Sequence, residues 1–182
     1  SVDLSDEAAA VLVGEGRVDI STDYGNVLVG DVTAKSGVEI KAAGTVIVSG
    51  VVYVAEGSID ISTRYADVSG GVPSEAASAD IVADAQTSLL HAEKANVNVT
   101  SNAGRATIGR VIAGQDIRID ATTGVRLVNT QIIDGNNLFD PDFQEREKAL
   151  TGVMQVSSRA GDVNIESQIA LLTGALVLTS EG

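Results

Sequence analysis

The strongest constraint in this sequence is a repeat of apolar–polar–apolar triplets about every 20 residues. Val18-Asp19-Ile20, Val38-Glu39-Ile40 and Ile59-Asp60-Ile61 start 20 and then 21 residues apart. Residues 19–30 and 60–71 also match each other, since seven of their 12 positions are identical. A unit this short cannot bury its own apolar side chains, but it can bury them by stacking on the next unit. The spacing therefore predicts a solenoid.

Composition indicates that the stacked elements are β-strands. The chain has 182 residues, of which 44% are hydrophobic but only 3% aromatic, and 19 are glycine. The apolar residues are mainly valine and isoleucine, which favour strands and fit a narrow core. We therefore predict one all-β domain over residues 1–182, a parallel β-helix of about eight coils of 19–21 residues. A left-handed helix would show six-residue repeats, and a β-sandwich would lack the even spacing.

Two stretches interrupt the repeat. Residues 73–96 are rich in alanine, and we interpret them as an irregular coil with a short helical turn at 74–78. Residues 134–150 contain good helix formers and predict a loop-and-helix insertion. Because Phe139 and Phe143 are the only phenylalanines, we expect them to hold this insertion against the outer wall and to form an interaction site.

Several classes of function are excluded or disfavoured by composition. The chain has no cysteine and one histidine, so disulfide frameworks and multi-histidine metal centres are excluded. The net charge of −13 disfavours nucleic acid as a partner, because phosphate binding requires clustered lysine and arginine. No apolar run approaches the roughly 20 residues of a membrane-spanning helix. We therefore expect neither nucleic-acid binding nor membrane insertion.

The strings GRVDISTDYGNVLVGDVTAKSGVEIKAAGTVIVSG and GQDIRIDATTGVRLVNTQI resemble the repeats of filamentous-haemagglutinin-like exoproteins of the two-partner secretion route. That resemblance implies a right-handed parallel β-helix located outside the cell or at its surface. It also implies a role in adhesion or as a fibre, with a host or cell-surface receptor or a glycan as partner. The stretches GDVTAKSGVEI and SGVVYVAEGSIDI resemble bactofilins more weakly, since bactofilin coils are shorter and more regular. This second resemblance implies a self-polymerising cytoskeletal filament.

The polar centres of the three triplets form a candidate calcium site. Stacking places Asp19, Glu39 and Asp60 one above another on the outer wall, and Ca²⁺ prefers carboxylate oxygens. The alternative is a solvated acidic stripe screened by Arg17 and Lys41. Further along the chain, we expect the same outward position to pass to Asn98, Arg118 and Asn164.

A second candidate calcium site lies in the predicted insertion. Asp134, Asn136, Asn137, Asp140 and Asp142 are dense in oxygen ligands. They lack the spacing and the terminal glutamate of an EF-hand. A turn followed by a helix cap is therefore the alternative interpretation.

No catalytic constellation is predicted, and we expect that the protein is not an enzyme. A polysaccharide-processing β-helix enzyme would need a pair of carboxylates beside a cleft. Asp80 and Asp84 are the nearest candidates, and His91 has no evident catalytic partner. Calcium is the only cofactor for which the sequence offers candidate ligands.

The sequence thus predicts a structural, non-catalytic segment of an extracellular adhesin or cell-surface filament. Residues 174–182 read as a strand without a polar cap, and an uncapped solenoid end pairs with another strand. We therefore expect either further coils of the same parent chain or end-to-end self-association. A bactofilin-like filament subunit and a polysaccharide-processing enzyme are the alternatives.

Overall fold

The computed structural model describes residues 1–4, 10–64, 79–134, 152–171 and 174–181. Within these ranges all regular structure is β-strand, and no helix occurs. In chain order the strands are β1 Val2–Leu4, β2 Ala10–Val13, β3 Arg17–Thr22, β4 Val27–Val29, β5 Asp31–Ala34, β6 Gly37–Ala42, β7 Val46–Val48, β8 Val51–Val54, β9 Ile59–Thr63, β10 Ile81–Ala83, β11 Leu89–Ala92, β12 Val97–Ser101, β13 Arg105–Ile108, β14 Arg110–Ala113, β15 Ile117–Ala121, β16 Gly124–Asp134, β17 Gly152–Ser158, β18 Val163–Leu171 and β19 Gly174–Ser180.

The strands stack in three parallel columns, so each coil contributes one strand or part of a strand to each column. Column 1 contains β1, β4, β7, β10, β13 and the first parts of β16 and β18. Column 2 contains β2, β5, β8, β11, β14 and the later parts of β16 and β18. Column 3 is the seven-stranded sheet β3-β6-β9-β12-β15-β17-β19. The described strands therefore form seven successive layers, which we call coils.

Register in column 3 follows the predicted triplets. Val18, Val38 and Ile59 are neighbours across three strands, and the row continues through Val97 and Ile117. Equivalent positions of successive coils are thus about 4.8 Å apart, the spacing of hydrogen-bonded strands. The prediction of an all-β stack of parallel strands is confirmed.

One hydrophobic core lies between the three columns. Its side chains come from alternate positions of every column and are almost all valine, isoleucine, leucine and alanine. Ile40, Ile81 and Leu90, from columns 3, 1 and 2, are each 0% exposed. Burying an aliphatic side chain of this size stabilises a fold by about 1.5–3 kcal/mol. The repeated inward rows are therefore the main source of stability.

The stack continues after residues 65–78, which lie outside the described residues. The next column 1 partner of Val46 is Ile81, and the next column 2 partner of Val52 is Leu90. The coil that follows β9 therefore joins the stack at β10 and β11.

The stretches that interrupt the repeat are described only in part. Within residues 73–96, β10 and β11 pair in register with the coils before and after them. The predicted helical turn at 74–78 lies outside the described residues. The predicted insertion at 134–150 also lies outside them, except that Asp134 ends β16.

Candidate functional site

The acidic row on the outer side of column 3 is compensated by neighbouring side chains. Register places Asp19, Glu39 and Asp60 next to one another, as predicted. Arg17 Nε lies 2.6 Å from an oxygen of Asp19, and the same guanidinium contacts Glu39. Lys41 Nζ also contacts Glu39. The hydrogen bond from Lys41, together with the charges of Lys41 and Arg17, lowers the pKa of Glu39 although partial burial opposes this shift.

The third carboxylate of the row is held by an amide. The Asn98 side-chain nitrogen donates a hydrogen bond of 2.8 Å to Asp60. In the part of the chain that the structure describes, no group of three or more His, Asp or Glu side chains is placed to hold a metal ion. Each of the three carboxylates thus contacts a cationic or amide side chain, as the alternative of a screened acidic stripe predicts, and the calcium site stays a prediction.

The second candidate calcium site and the predicted interaction residues lie outside the described residues. This applies to Asp140, Asp142, Phe139 and Phe143. Asp134 is the last residue of β16, and only its backbone is described. The calcium site in this segment stays a prediction.

The predicted outward row needs one correction. Asn164 was expected to follow Asn98 and Arg118 in column 3, but it pairs with Arg126 in column 1. Gln155 takes the position next to Arg118. The prediction was wrong because apolar–polar–apolar triplets occur in more than one column, so the triplet alone does not identify its column.

Aspartate and asparagine side chains at the corners bind the backbone of the next coil. In five places the side-chain oxygen accepts a backbone N–H at 2.8–3.0 Å. In three of these places the neighbouring residue is a glycine whose Cβ, if present, would overlap the same oxygen: Gly44, Gly50 and Gly104. The sequence signal was an Asx followed one coil later by glycine, and it was missed. The five pairs are Asn26 with Thr45, Asp31 with Val51, Asp80 with Arg105, Asn96 with Asp116, and Asp116 with Val153.

These corner contacts bear on the weak catalytic candidates. Asp80 accepts the backbone N–H of Arg105 at 2.8 Å, which is a structural role. Asp84 is exposed. A shallow groove near the end of column 1 is lined by two arginines and by one carboxylate, Asp162. Paired-carboxylate glycoside chemistry would require a second carboxyl group opposite the first.

Tyr53, His91 and Glu93 form a cluster on the outer side of column 2 that the sequence did not indicate. The Tyr53 hydroxyl donates a hydrogen bond to Glu93, and this bond, with partial burial, raises the pKa of Tyr53 to about 12. The rings of Tyr53 and His91 meet edge to face with centroids 5.2 Å apart. Burial lowers the pKa of His91, although the charge of Glu93 opposes that shift. His91 is therefore a packed aromatic residue that is neutral at pH 7.

The outer surfaces of the columns differ in character. The outward residues of column 3 are mostly charged or polar, and we call this surface the charged face. Columns 1 and 2 carry half-buried apolar and aromatic side chains in the second to fifth coils, and we call this surface the apolar face. The charged face consists of Arg17, Asp19, Glu39, Lys41, Asp60, Asn98, Arg118, Asp120 and Gln155. The apolar face consists of Leu28, Ile47, Val51, Tyr53, Val82, Leu89, His91 and Ile112.

Strand β19 is the last strand of column 3 and exposes apolar side chains. Leu176 and Leu178 continue the inward row from Met154 and Val156. They are 41% and 48% exposed, whereas Met154 and Val156 are 0% exposed. Among the strands that the structure describes, β19 pairs only with β17, so it presents a backbone edge beside an uncovered part of the core.

No family model, no curated protein and no solved structure matches this chain. Among the described residues there is no helix long and apolar enough to cross a membrane.

Proposed function

We propose that the chain is a structural, non-catalytic segment of an extracellular adhesin or cell-surface filament. The observation that carries this proposal is the uninterrupted core shared by all seven coils. Many of the polar groups beside it are engaged in structural contacts. Asp31, Asp80 and Asp116 bind backbone, and Glu93 binds Tyr53. These features support a structural role, since both the core and the polar contacts stabilise the stack.

The same proposal includes a right-handed parallel β-helix. Three columns of parallel strands around one core are the arrangement expected of such a solenoid. Connections between parallel strands are right-handed in about 98% of cases because of strand twist. The repeat resemblance to filamentous-haemagglutinin-like exoproteins points to the same handedness.

Location outside the cell is the part of the proposal that can be tested most directly. Antibodies raised against residues 1–182 should label intact cells of the source organism. Labelling that appears only after permeabilisation would contradict the extracellular location and favour a cytoskeletal filament. Reading the whole open frame around these residues for an export signal is the independent check.

The exposed edge of β19 favours a second candidate, an end-to-end filament subunit. The edge of β19 that no described strand pairs with, with Leu176 and Leu178 beside it, can accept a further parallel strand. Electron microscopy of the purified protein should then show fibres, because head-to-tail contacts do not close. Leu178→Lys should abolish them, whereas Leu12→Lys, at an outward position that is 77% exposed, should not. Absence of fibres for the unmodified protein would contradict this candidate.

A further inference from the structure

The corner contacts of the aspartate and asparagine side chains all have the same direction along the stack. In each of the five pairs, the side-chain oxygen belongs to one coil and the backbone N–H that it accepts belongs to the coil that follows. A backbone N–H left without an acceptor at a coil-to-coil contact costs free energy. Each coil therefore provides side-chain acceptors for its successor.

One row of corner residues, just before column 1, makes this kind of contact three times. Ser1 Oγ accepts the N–H of Asn26 at 3.3 Å, and Asn26 Oδ1 accepts the N–H of Thr45 at 2.9 Å. Further along the stack, Asp80 Oδ1 accepts the N–H of Arg105 at 2.8 Å. The register of column 1 places seven residues in this row, one from each coil: Ser1, Asn26, Thr45, Asp80, Arg105, Gly124 and Asp162.

Asp162 ends this row in the seventh coil. Its side chain is exposed, and within the described ranges its carboxylate has no hydrogen bond or ion pair. Its strand, β18, is the last described strand of column 1, so no described coil follows to present a backbone N–H to it. By the pattern of Asn26 and Asp80, Asp162 is an acceptor for one further coil.

The two ends of the stack expose matching parts of the inward rows of column 3. In β19, Leu176 and Leu178 are 41% and 48% exposed. At the other end, Val18 and Ile20 of β3 are 7% and 9% exposed, whereas the inward residues of the strands between them are at most 1% exposed. All strands of the column are parallel, so β19 of one copy can be followed by β3 of another with the strand direction unchanged.

We infer that the partner of the β19 edge is the first coil of a second copy, held in the register in which coils stack within the chain. This inference rests on the end-to-end candidate of the proposed function. In this register Asp162 accepts the N–H group of Ser1 of the next copy, and Leu178 packs against Ile20 of that copy. The contact repeats the one between successive coils, with the same step of about 4.8 Å.

The charge of the chain sets a condition for this contact. The net charge is −13, and the end coils bring Glu15 and Asp19 of one copy towards Glu166 and Glu181 of the other. Salt screens repulsion between exposed charges but not apolar burial. Fibres should therefore form at lower protein concentration when the salt concentration is raised from about 20 mM to about 500 mM.

Sedimentation of fibres measures the critical protein concentration for their formation. Asp162→Ala should raise this concentration about tenfold, as expected for the loss of one hydrogen bond to a charged group at every contact. Asp162→Asn keeps the acceptor, as Asn26 does in the second coil, and should stay close to the unmodified protein. The matched control is Asp84→Ala, which removes an exposed carboxylate beside β10, away from both ends, and should have no effect.

Disulfide cross-linking tests the register. The chain has no cysteine, so introduced cysteines have no background. Val177 and Asp19 hold the same outward position in β19 and β3, so their Cα atoms come within about 5 Å, which a disulfide spans. A mixture of Val177→Cys and Asp19→Cys should form the mixed disulfide. Val177→Cys with Ser21→Cys should not, since Ser21 lies two residues further along β3, or about 8 Å away.

The outcomes separate this inference from the candidate function on which it rests. Absence of fibres at every salt concentration would overturn both and leave the β19 edge to further coils of a parent chain. Fibres that form equally well with Asp162→Ala, or that cross-link Val177→Cys to Ser21→Cys instead of Asp19→Cys, would overturn the inference alone. Circular dichroism establishes that each variant is folded.

Discussion

The apolar face and the charged face are built from the same stack of parallel strands, but their outward side chains differ. In both, alternate residues point into the same core and are fully buried. On the charged face the outward position of β9 is Asp60, whereas on the apolar face the outward position of β7 is Ile47. The stacking therefore depends on the inward rows and the corners. The outward rows are free to vary with the surroundings of each face.

A comparison of inward and outward apolar residues should show the largest effect. Ile81 is 0% exposed in the core, and Ile47 lies on the apolar face of the neighbouring strand. Ile81→Ala should lower the free energy of unfolding by about 2–5 kcal/mol, as for a buried cavity. Ile47→Ala should cost less than about 1 kcal/mol, because surface substitutions rarely cost more. Urea denaturation measures both. Equal losses would mean that the apolar face is covered within one molecule.

The corner between columns 2 and 3 offers the next test. A Cβ on Gly57 would overlap the backbone of Ser36 in the preceding coil. Gly57→Ala should therefore destabilise by about 1–3 kcal/mol or more, as overpacking does. Gly14 occupies the same corner of the first coil, where nothing lies within 4 Å of the added carbon. Gly14→Ala should be tolerated, and similar losses in the two variants would contradict coil-on-coil contact at this corner.

Acid should lower the free energy of unfolding in two pH ranges, one set by His91 on the apolar face and one by Glu39 on the charged face. Burial lowers the pKa of His91 from its ordinary 6.5, with Tyr53 and Glu93 beside it. The unfolded chain therefore takes up this proton first, and the free energy of unfolding falls as the pH drops from about 6.5 through the folded-state pKa. The lowered pKa of Glu39, whose ordinary value is 4.5, gives a second loss as the pH drops from 4.5 downwards.

Substitutions assign these two losses to their residues. His91→Gln should reduce the loss of stability that begins below pH 6.5, and Glu39→Gln should reduce the loss that begins below pH 4.5. The measurement is the urea midpoint at pH values from 7 to 3. Profiles that stay parallel to that of the unmodified protein would contradict the assignment.

The smallest effect is expected at the ion pairs of the charged face. Arg17 contacts Asp19 and Glu39 and is 46% exposed, so its contribution is screened by solvent. Arg17→Ala should lower the free energy of unfolding by at most about 1 kcal/mol. The loss should shrink in high salt, because salt screens both the ion pair and the repulsion between carboxylates. A loss that does not depend on salt would assign the effect to packing of the Arg17 side chain.

Column 3 was the part of the fold that the sequence predicted best. Its strands alternate between buried and exposed residues, so the triplets at Val18, Val38 and Ile59 revealed both the strand type and the register. The screened acidic row was also among the predicted alternatives. The register of columns 1 and 2 was harder to predict, because runs such as VIV and LLHA do not alternate between apolar and polar residues and so do not mark the inward side.

The errors have a common physical cause. Asn164 was placed in the wrong column because a triplet records only that a strand has one buried side. The corner contacts of Asp31 and Asp80 were missed because they join residues 20 and 25 positions apart.

By itself the sequence determined the repeat, the strand type and the aliphatic core, because these follow from side-chain periodicity and β-branched composition within one coil or its neighbour. The tertiary structure decided which column each strand joins and which outer surfaces are apolar or charged. It also decided which carboxylates bind the backbone. These features depend on which residues of different coils become neighbours, and a local pattern does not contain that information.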